Sequence, residues 1–386
     1  MRIGLVIDAN MAVPGGVQEY VRGLYDYLEA VGHEPAVISA PARPSPEDAS
    51  RRFLTLGRRL DLPSLKGQSA PGSITWASRR ALRAFLQRGR FDVLHFMAPM
   101  GLLAMQILAE SDATNVATFL VAKDRFGLWG LVAPVFRALE RGRLNARLHG
   151  RIALSPPAQR YGSLWFPGSY TIIPAGINQA RFAPAPGAKR LYDDGKVNIL
   201  FVGRLDRRKG VPHLLEAFAA LRAERADVRL IVVGDGPEAQ AARAFVAERG
   251  LPDVTFTGAV AGAELPAYYR AAHIFCSPAY ENESFGVVLL EAMAAGLPIA
   301  GYANAGYLTV LTDEAREALA PPGDVEALTR VLARLVADGE WRRRLSEWGL
   351  RQVRGYTWEG VGARIVAFYQ EAMRAKGAVA PEAEGR

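Results

Sequence analysis

The run AYENESFGVVLLEAMAAG, residues 279–296, sets an apolar helical core between two acids, Glu283 and Glu291, eight residues apart. A buried helix does not need them. An unpaired carboxylate taken out of water costs several kcal/mol, on the order of 2–7 for a polar group and more for a charge. Either the acids reach water or a polar partner meets them. Upstream, His273–Ser277 reads as a strand, and Ser284 or Phe285 can start the helix, with Ser284 in reach of the N-cap. Glu283 then lies in a strand-to-helix loop, and Gly286 marks a helix N-terminus whose N–H groups suit an anion. Val287–Leu290 anchors the helix in the core, and the long Glu291 side chain is expected to return toward the same ligand. On this reading the acids are paired with a ligand's hydroxyls, not with protein cations. The competing reading makes Glu283 an electrostatic cap and puts Glu291 on a wet face.

Outward from this run the same grammar repeats. Arg2–Asp8, Pro35–Ala40, Asp92–Phe96, Ala117–Ala122, Arg151–Ser155 and Thr171–Pro174 read as strands, mostly as continuous apolar runs. Such runs suit a parallel sheet covered on both faces. A second series follows: Asn198–Gly203, Val228–Gly234, Val254–Gly258, His273–Ser277 and Pro298–Tyr302, with a helix expected over Gly210–Ala223. Two βαβ series predict an α/β protein of two doubly wound, Rossmann-like domains facing a cleft. The expected division is 1–180, then 181–357, joined through the Ala-, Pro- and Gly-rich Asn178–Lys196.

Ligands of such sheets bind beyond the carboxyl ends of strands. Phe201-Val-Gly-Arg-Leu-Asp-Arg-Arg-Lys-Gly210 places Arg204 and Lys209 there, before a helix, as two cations sized for a diphosphate. A solvated basic loop is the competing reading. Gly15-Gly16 follows the first strand and precedes a helix at Val17–Ala30, which suits an anion or a plain tight turn. Val232–Pro237 carries another glycine turn that also reads two ways.

The 386-residue chain, half hydrophobic, has a net charge of +8. Residues 1–180 hold 21 Lys/Arg against 13 Asp/Glu, whereas 181–386 hold 26 of each. Ten basic residues against Asp61 alone fall in 51–90. Such asymmetry suggests an anionic partner on that side, with solubility as the bland alternative. Within it, Ile74–Arg88 reads as a basic amphipathic helix, with Leu82, Phe85 and Leu86 on one side and Arg79, Arg80, Arg83 and Arg88 around them. Gly127–Phe136 could add apolar insertion. An anionic lipid or membrane surface is therefore an expected partner, against the alternative of a surface helix and a core segment. Nucleic acid is not expected, since the basic segment lacks interleaved stacking aromatics. The opening strand leaves no room for a secretory signal, no apolar run nears 18 residues, and the lone Cys276 reads as an inert core thiol. These features predict a cytoplasmic protein, in reach of the inner membrane face.

Gly-Arg-Leu-x-x-x-Lys-Gly followed by Glu-x7-Glu resembles the GT-B retaining glycosyltransferases of family 4. Gly15-Gly16, Asp92–His95, Ile173–Asn178, Phe256–Gly258 and Tyr356–Trp358 extend the resemblance over nearly the whole chain. It implies transfer of a hexose from a GDP- or UDP-hexose to an acceptor hydroxyl, with no cofactor or metal required. By motif match, Arg204 and Lys209 would hold the diphosphate and Glu283 the sugar hydroxyls. Phe285, Gly286 and Val287 would line the donor, Glu291 would take the ribose, and Val260 would lie near the base. Gly15 and Gly16 would serve the phosphate from the first domain, to which a last helix, about 358–376, would return. Phe91–His95 and Ala117-Thr-Phe119 resemble bacterial phosphatidylinositol mannosyltransferases in particular. That subgroup carries a histidine after Thr-Phe, where this chain has Leu120, and an Asn in Pro-Asn-Gly, where this chain has Ala175. A nucleotide-sugar epimerase of the same fold, or a nucleotide-sugar-binding homologue without turnover, are the alternative functions.

Overall fold

The computed structural model describes residues 1–8, 11, 15–39, 48–61, 73–121, 141–184 and 191–379. They fall into two compact units. Met1–Gly176 and the residues from Trp358 onward form one, and Ile177–Thr357 the other.

The first unit is built on a parallel sheet of order β3-β2-β1-β6-β7-β8-β9. The strands are β1 (Arg2–Ile7), β2 (Glu34–Ser39), β3 (Phe53–Thr55), β6 (Val93–Met97), β7 (Thr114–Phe119), β8 (Gly150–Ala153) and β9 (Thr171–Ile172). Ile3, Leu5, Val37, Val93, Phe96, Val116 and Ile152 are buried, as continuous apolar runs require when helices cover both faces. The strand order reverses between β1 and β6, and Gly15-Gly16 opens the helix Gly16–Ala30 beyond β1. Gly15 is extended and caps the helix without a side chain.

A small antiparallel hairpin of β4 (Arg58–Asp61) and β5 (Ser73–Trp76) lies outside both large sheets. It corrects one expectation. Ile74–Arg88 is not a single helix: its first residues pair with β4, and the helix runs only over Arg79–Gly89. Thr75 and Trp76 favour a strand, and Ser78 restarts the chain as an N-cap, accepting from the Ala81 N–H at 3.3 Å. Gly127–Phe136 lies outside the described residues.

His95, in β6, is fully buried, with Nδ1 2.6 Å from the Tyr369 hydroxyl and Nε2 2.6 Å from the Thr118 hydroxyl. Burial pulls its pKa down to about 3, so it is a neutral structural link between β6, β7 and the closing helix Trp358–Val379. Trp358 packs edge-on to Tyr20, at 5.4 Å between rings. Added side-chain atoms at Gly23 or Gly176 would collide with its indole.

The second unit carries a parallel sheet of order β12-β11-β10-β13-β14-β15. Its strands are β10 (Val197–Val202), β11 (Val228–Val233), β12 (Val254–Gly258), β13 (Ile274–Ser277), β14 (Ile299–Tyr302) and β15 (Leu319–Ala320). Ile199, Phe201, Leu230, Val232, Ile274 and Cys276 join Leu214, Leu215 and Phe218 of the helix Val211–Glu224 in one core. Burial raises the Cys276 thiol, which keeps it protonated and inert. The order reverses between β10 and β13, the position at which open α/β sheets receive ligands.

Candidate functional site

The candidate site belongs to the second unit. β10 ends at Val202, and the chain passes through Gly203 into the loop carrying Arg204 and Lys209. Two neighbouring loops hold it. On one side, Gly203 N–H donates to the Val233 carbonyl at 3.0 Å and Leu205 N–H to the Asp235 carbonyl at 2.9 Å. The Val232–Pro237 turn thus supports the Arg204 loop, and a Cβ at Gly234 would lie 1.9 Å from the Gly203 carbonyl oxygen. On the other side, Arg208 Nη1 donates to the Asn282 carbonyl at 3.3 Å, and Tyr280 N–H to the Arg208 carbonyl at 3.1 Å. Gly210, with φ 72°, closes the loop under Pro278 and starts the helix Val211–Glu224.

Because β10 and β13 are neighbours, these loops bring Lys209 to Glu283. Nζ lies 2.5 Å from Oε2, with the two side chains 16% and 11% exposed. The acids therefore do have partners in the protein. Glu283 is paired with Lys209, and Glu291, buried on the helix Val287–Ala294, accepts from the Tyr269 hydroxyl at 2.6 Å. That corrects the expectation that ligand hydroxyls alone meet them; carboxylates so far out of water need partners even before a ligand arrives. Neither acid sits on a wet face. Arg204 differs: its Nε is buried and finds no hydrogen-bond partner among the described residues.

The helix Val287–Ala294 begins at Gly286, with φ 91° and no side-chain cap. Ser284 is not the cap; the left-handed glycine, two residues later, sets the start. A Cβ at Gly286 would come 2.6 Å from the Tyr307 ring, so both the conformation and the close approach call for glycine. Phe285 is buried against Tyr356, at 6.0 Å between rings, while Val287 is half-buried.

Sequence reasoning missed the loop after β14. Asn304 Nδ2 donates to the Ala279 carbonyl at 2.7 Å and its Oδ1 accepts from the Tyr307 N–H at 2.9 Å. The Tyr307 hydroxyl lies 2.5 Å from Ser277 Oγ, and a Cβ at Gly306 would sit 2.4 Å from the Glu283 carbonyl oxygen. Burial, and then the Glu283 charge, hold the Tyr307 phenol well above its usual range, so it stays neutral. The signal was present: Ala303–Tyr307 also follows a strand end.

Val260 follows β12, two strands away from β10, and is half-buried. Its loop is tied down by Arg181, whose Nη2 donates to the Gly262 carbonyl at 2.6 Å. Gly15 and Gly16 belong to the first unit, as do the four arginines of the basic helix. There Leu82, Phe85 and Leu86 pack into the core rather than facing outward. Arg79 and Arg83 grip Glu110 at 2.6 and 2.7 Å, while Arg80 and Arg88 are exposed. The helix thus presents charge, not an apolar face.

In chemical terms, the switch point of the second unit gathers two cations, an uncapped helix N-terminus and a carboxylate. Charge-assisted donors of this kind suit an anion, and the carboxylate suits hydroxyl donors beside it.

Comparison with known proteins agrees with that chemistry. Residues 14–181 match the model of "Glycosyltransferase Family 4", and residues 188–352 that of "Glycosyl transferases group 1". A phosphatidyl-myo-inositol mannosyltransferase of Mycobacterium leprae is 34% identical over 374 residues, 96% of each chain. An MMP alpha-(1->4)-mannosyltransferase of Mycolicibacterium hassiacum is 31% identical over 97% of this chain and 98% of its own. Among solved structures, a sucrose-phosphate synthase from Thermosynechococcus elongatus aligns with a TM-score of 0.72 at 25% identity, covering 97% of this chain and 99% of that one. Anabaena HepE, solved in complex with UDP-glucose, aligns with a TM-score of 0.74 at 16% identity, covering 96% and 99%. The two switch-point sheets, the loops at their strand ends and the near-full-length mannosyltransferase relatives place this chain in the GT-B glycosyltransferases of group 1, family 4.

Proposed function

We propose that the chain is a retaining hexosyltransferase that uses a nucleotide-diphosphate sugar and passes the sugar to a hydroxyl of a lipid-linked acceptor. The observation that carries the donor assignment is the buried Arg204 Nε, without a hydrogen-bond partner among the described residues, on the loop whose Lys209 pairs with Glu283. A buried guanidinium N–H beyond a strand end suits a charge-assisted bond to a diphosphate.

On this reading Arg204, Lys209 and the N–H groups at Gly286 and Val287 take the diphosphate. Glu283 accepts from the sugar hydroxyls, beside Phe285, and its ion pair with Lys209 orients both side chains before the donor arrives. Glu291 accepts from the ribose, and Val260 lies by the base. The acceptor oxygen attacks the anomeric carbon on the face the diphosphate leaves. The C–O bond to phosphate breaks as the new one forms, and the acceptor's proton passes to the departing phosphate oxygen. No side-chain base is then needed. The protein supplies orientation and stabilises the charge growing on the diphosphate. No cofactor or metal enters this scheme, since Arg204 and Lys209 supply the positive charge.

The lipid-linked acceptor is supported by the phosphatidyl-myo-inositol mannosyltransferase relatives and by the exposed Arg80 and Arg88. Among the described residues no helix is long and apolar enough to cross a membrane. With its apolar side packed inward, the basic helix would meet a leaflet through charge. Flotation with anionic liposomes is then expected at low salt and lost at high salt, and no binding at low salt would retire this part.

The test of the transfer itself is proton NMR of the product. α-Configured GDP-mannose or UDP-glucose, incubated with a phosphoinositide or myo-inositol acceptor, is expected to yield an α-glycoside. A β-linked product would refute retention, and an epimerised nucleotide sugar would favour the epimerase reading. Donor binding without turnover would point to the binding-homologue reading, for which Leu120 is the motive.

A further inference from the structure

Glu291 is buried at the fifth position of its helix, yet the proposed function asks it to receive two ribose hydroxyls. A buried carboxylate serves that purpose only if its plane is fixed. Tyr269, on the helix Leu265–Ala271, provides a fixed donor for it. Its O–H donates to Glu291 Oε2 at 2.6 Å, the length of a charge-assisted bond. The ring is fully buried, edge-on to Phe182 at 5.3 Å and stacked on Phe275 at 5.6 Å, so the hydroxyl cannot swing away. Burial first, and then the Glu291 charge, push the Tyr269 phenol well above its usual range, which leaves the proton on the tyrosine. Phe182 belongs in turn to the short helix Gln179–Phe182, whose Arg181 ties down the Gly262 loop beside Val260.

We infer that Tyr269 is a positioning residue that aims Glu291 at the donor ribose, an inference that rests on the reading of Glu291 as the ribose carboxylate. A carboxylate accepts at about four lone-pair sites. Fixing one from the protein side sets the direction of the others. Without the phenol, the carboxylate loses the donor that holds Oε2 from the side of Tyr269.

Tyr269→Phe keeps the ring between its neighbours and removes only the oxygen. Calorimetry on the full chain compares UDP or GDP, whichever binds, with its 2′,3′-dideoxy counterpart, and with inorganic pyrophosphate. The unsubstituted protein is expected to prefer the ribonucleotide by about tenfold or more, since hydrogen bonds to charged groups are among the strong ones. In Tyr269→Phe the preference is expected to fall below about threefold, with pyrophosphate affinity unchanged. If the unsubstituted protein makes no ribose distinction, the assignment of Glu291 fails. If it does and Tyr269→Phe keeps the full preference, the positioning role is overturned while Glu291 stands. If Tyr269→Phe loses pyrophosphate as well, Tyr269 serves the fold and the inference is likewise overturned.

Discussion

Glu283→Gln separates holding the donor sugar from holding the nucleotide. The substitution keeps the side chain's length and one acceptor oxygen and removes the charge. In the structure Oε2 lies 2.5 Å from Lys209 Nζ, with the side chains 11% and 16% exposed, so both partners are largely out of water. Hydrogen bonds to charged groups are worth about 1.5–3 kcal/mol and neutral ones about 0.5–1.5. The substitution should therefore cost about 1 kcal/mol of stability, a fall of roughly 2–4 °C in Tm for a unit of this size. The same difference applies to each sugar hydroxyl that binds the carboxylate in the transition state. Two such bonds give about 2–3 kcal/mol, or a loss of about 30- to 150-fold in donor turnover, at about 1.4 kcal/mol per tenfold. Nucleoside diphosphate affinity should stay within about threefold, because the glutamine oxygen can still accept from Lys209 and leave it at the diphosphate. Hydrolysis of the nucleotide sugar, followed by release of free nucleotide, gives the first number and calorimetry the second. Unchanged hydrolysis, or equal loss of turnover and nucleotide affinity, would refute the assignment.

Arg204→Ala should lose nucleotide affinity and turnover together, each by about tenfold or more; a variant that binds normally would show that the buried Nε has another purpose. Gly210→Ala places a Cβ 2.1 Å from the Pro278 carbonyl oxygen at φ 72°. The left-handed conformation alone costs about 1–2 kcal/mol, so Tm and donor affinity should both fall, and an unperturbed Tm would contradict the packing described. His95→Gln tests pH linkage. The folded imidazole has its pKa lowered from 6.5 to about 3, so below pH 6.5 the unfolded chain takes a proton that the folded one refuses. Stability from this group is present above that pH and lost as pH falls, with a slope of up to about 1.4 kcal/mol per pH unit. Between pH 7 and 5 the variant's stability should decline less steeply than the parent's, and parallel curves would place the imidazole elsewhere.

Both sheets were legible because their strands are continuous apolar runs, such as Ile199–Phe201 and Leu230–Val233, which only burial on two faces explains. The strands β3, β4, β5 and β15 were not, since each sits among charged or polar neighbours rather than in a continuous apolar run. That Arg204, Lys209 and Glu283 lie in loops beyond strand ends could be read from the sequence. Which acid meets which cation could not, because the Lys209–Glu283 contact spans 74 positions and depends on strand order. Ser284 misled as a cap because propensity ranks serine above a glycine that tertiary packing against Tyr307 selects. The basic helix showed its arginines in the sequence but hid Glu110, the partner that Arg79 and Arg83 share from the helix Leu102–Glu110.

The most direct measurement is a calorimetric titration of the intact protein with UDP, GDP and ADP, run beside Arg204→Ala. One nucleoside diphosphate is expected to bind with micromolar affinity, and the variant should weaken it by about tenfold or more. If none of the three binds, or if Arg204→Ala leaves the affinity intact, the loops beyond β10 and β13 are not where a diphosphate is held.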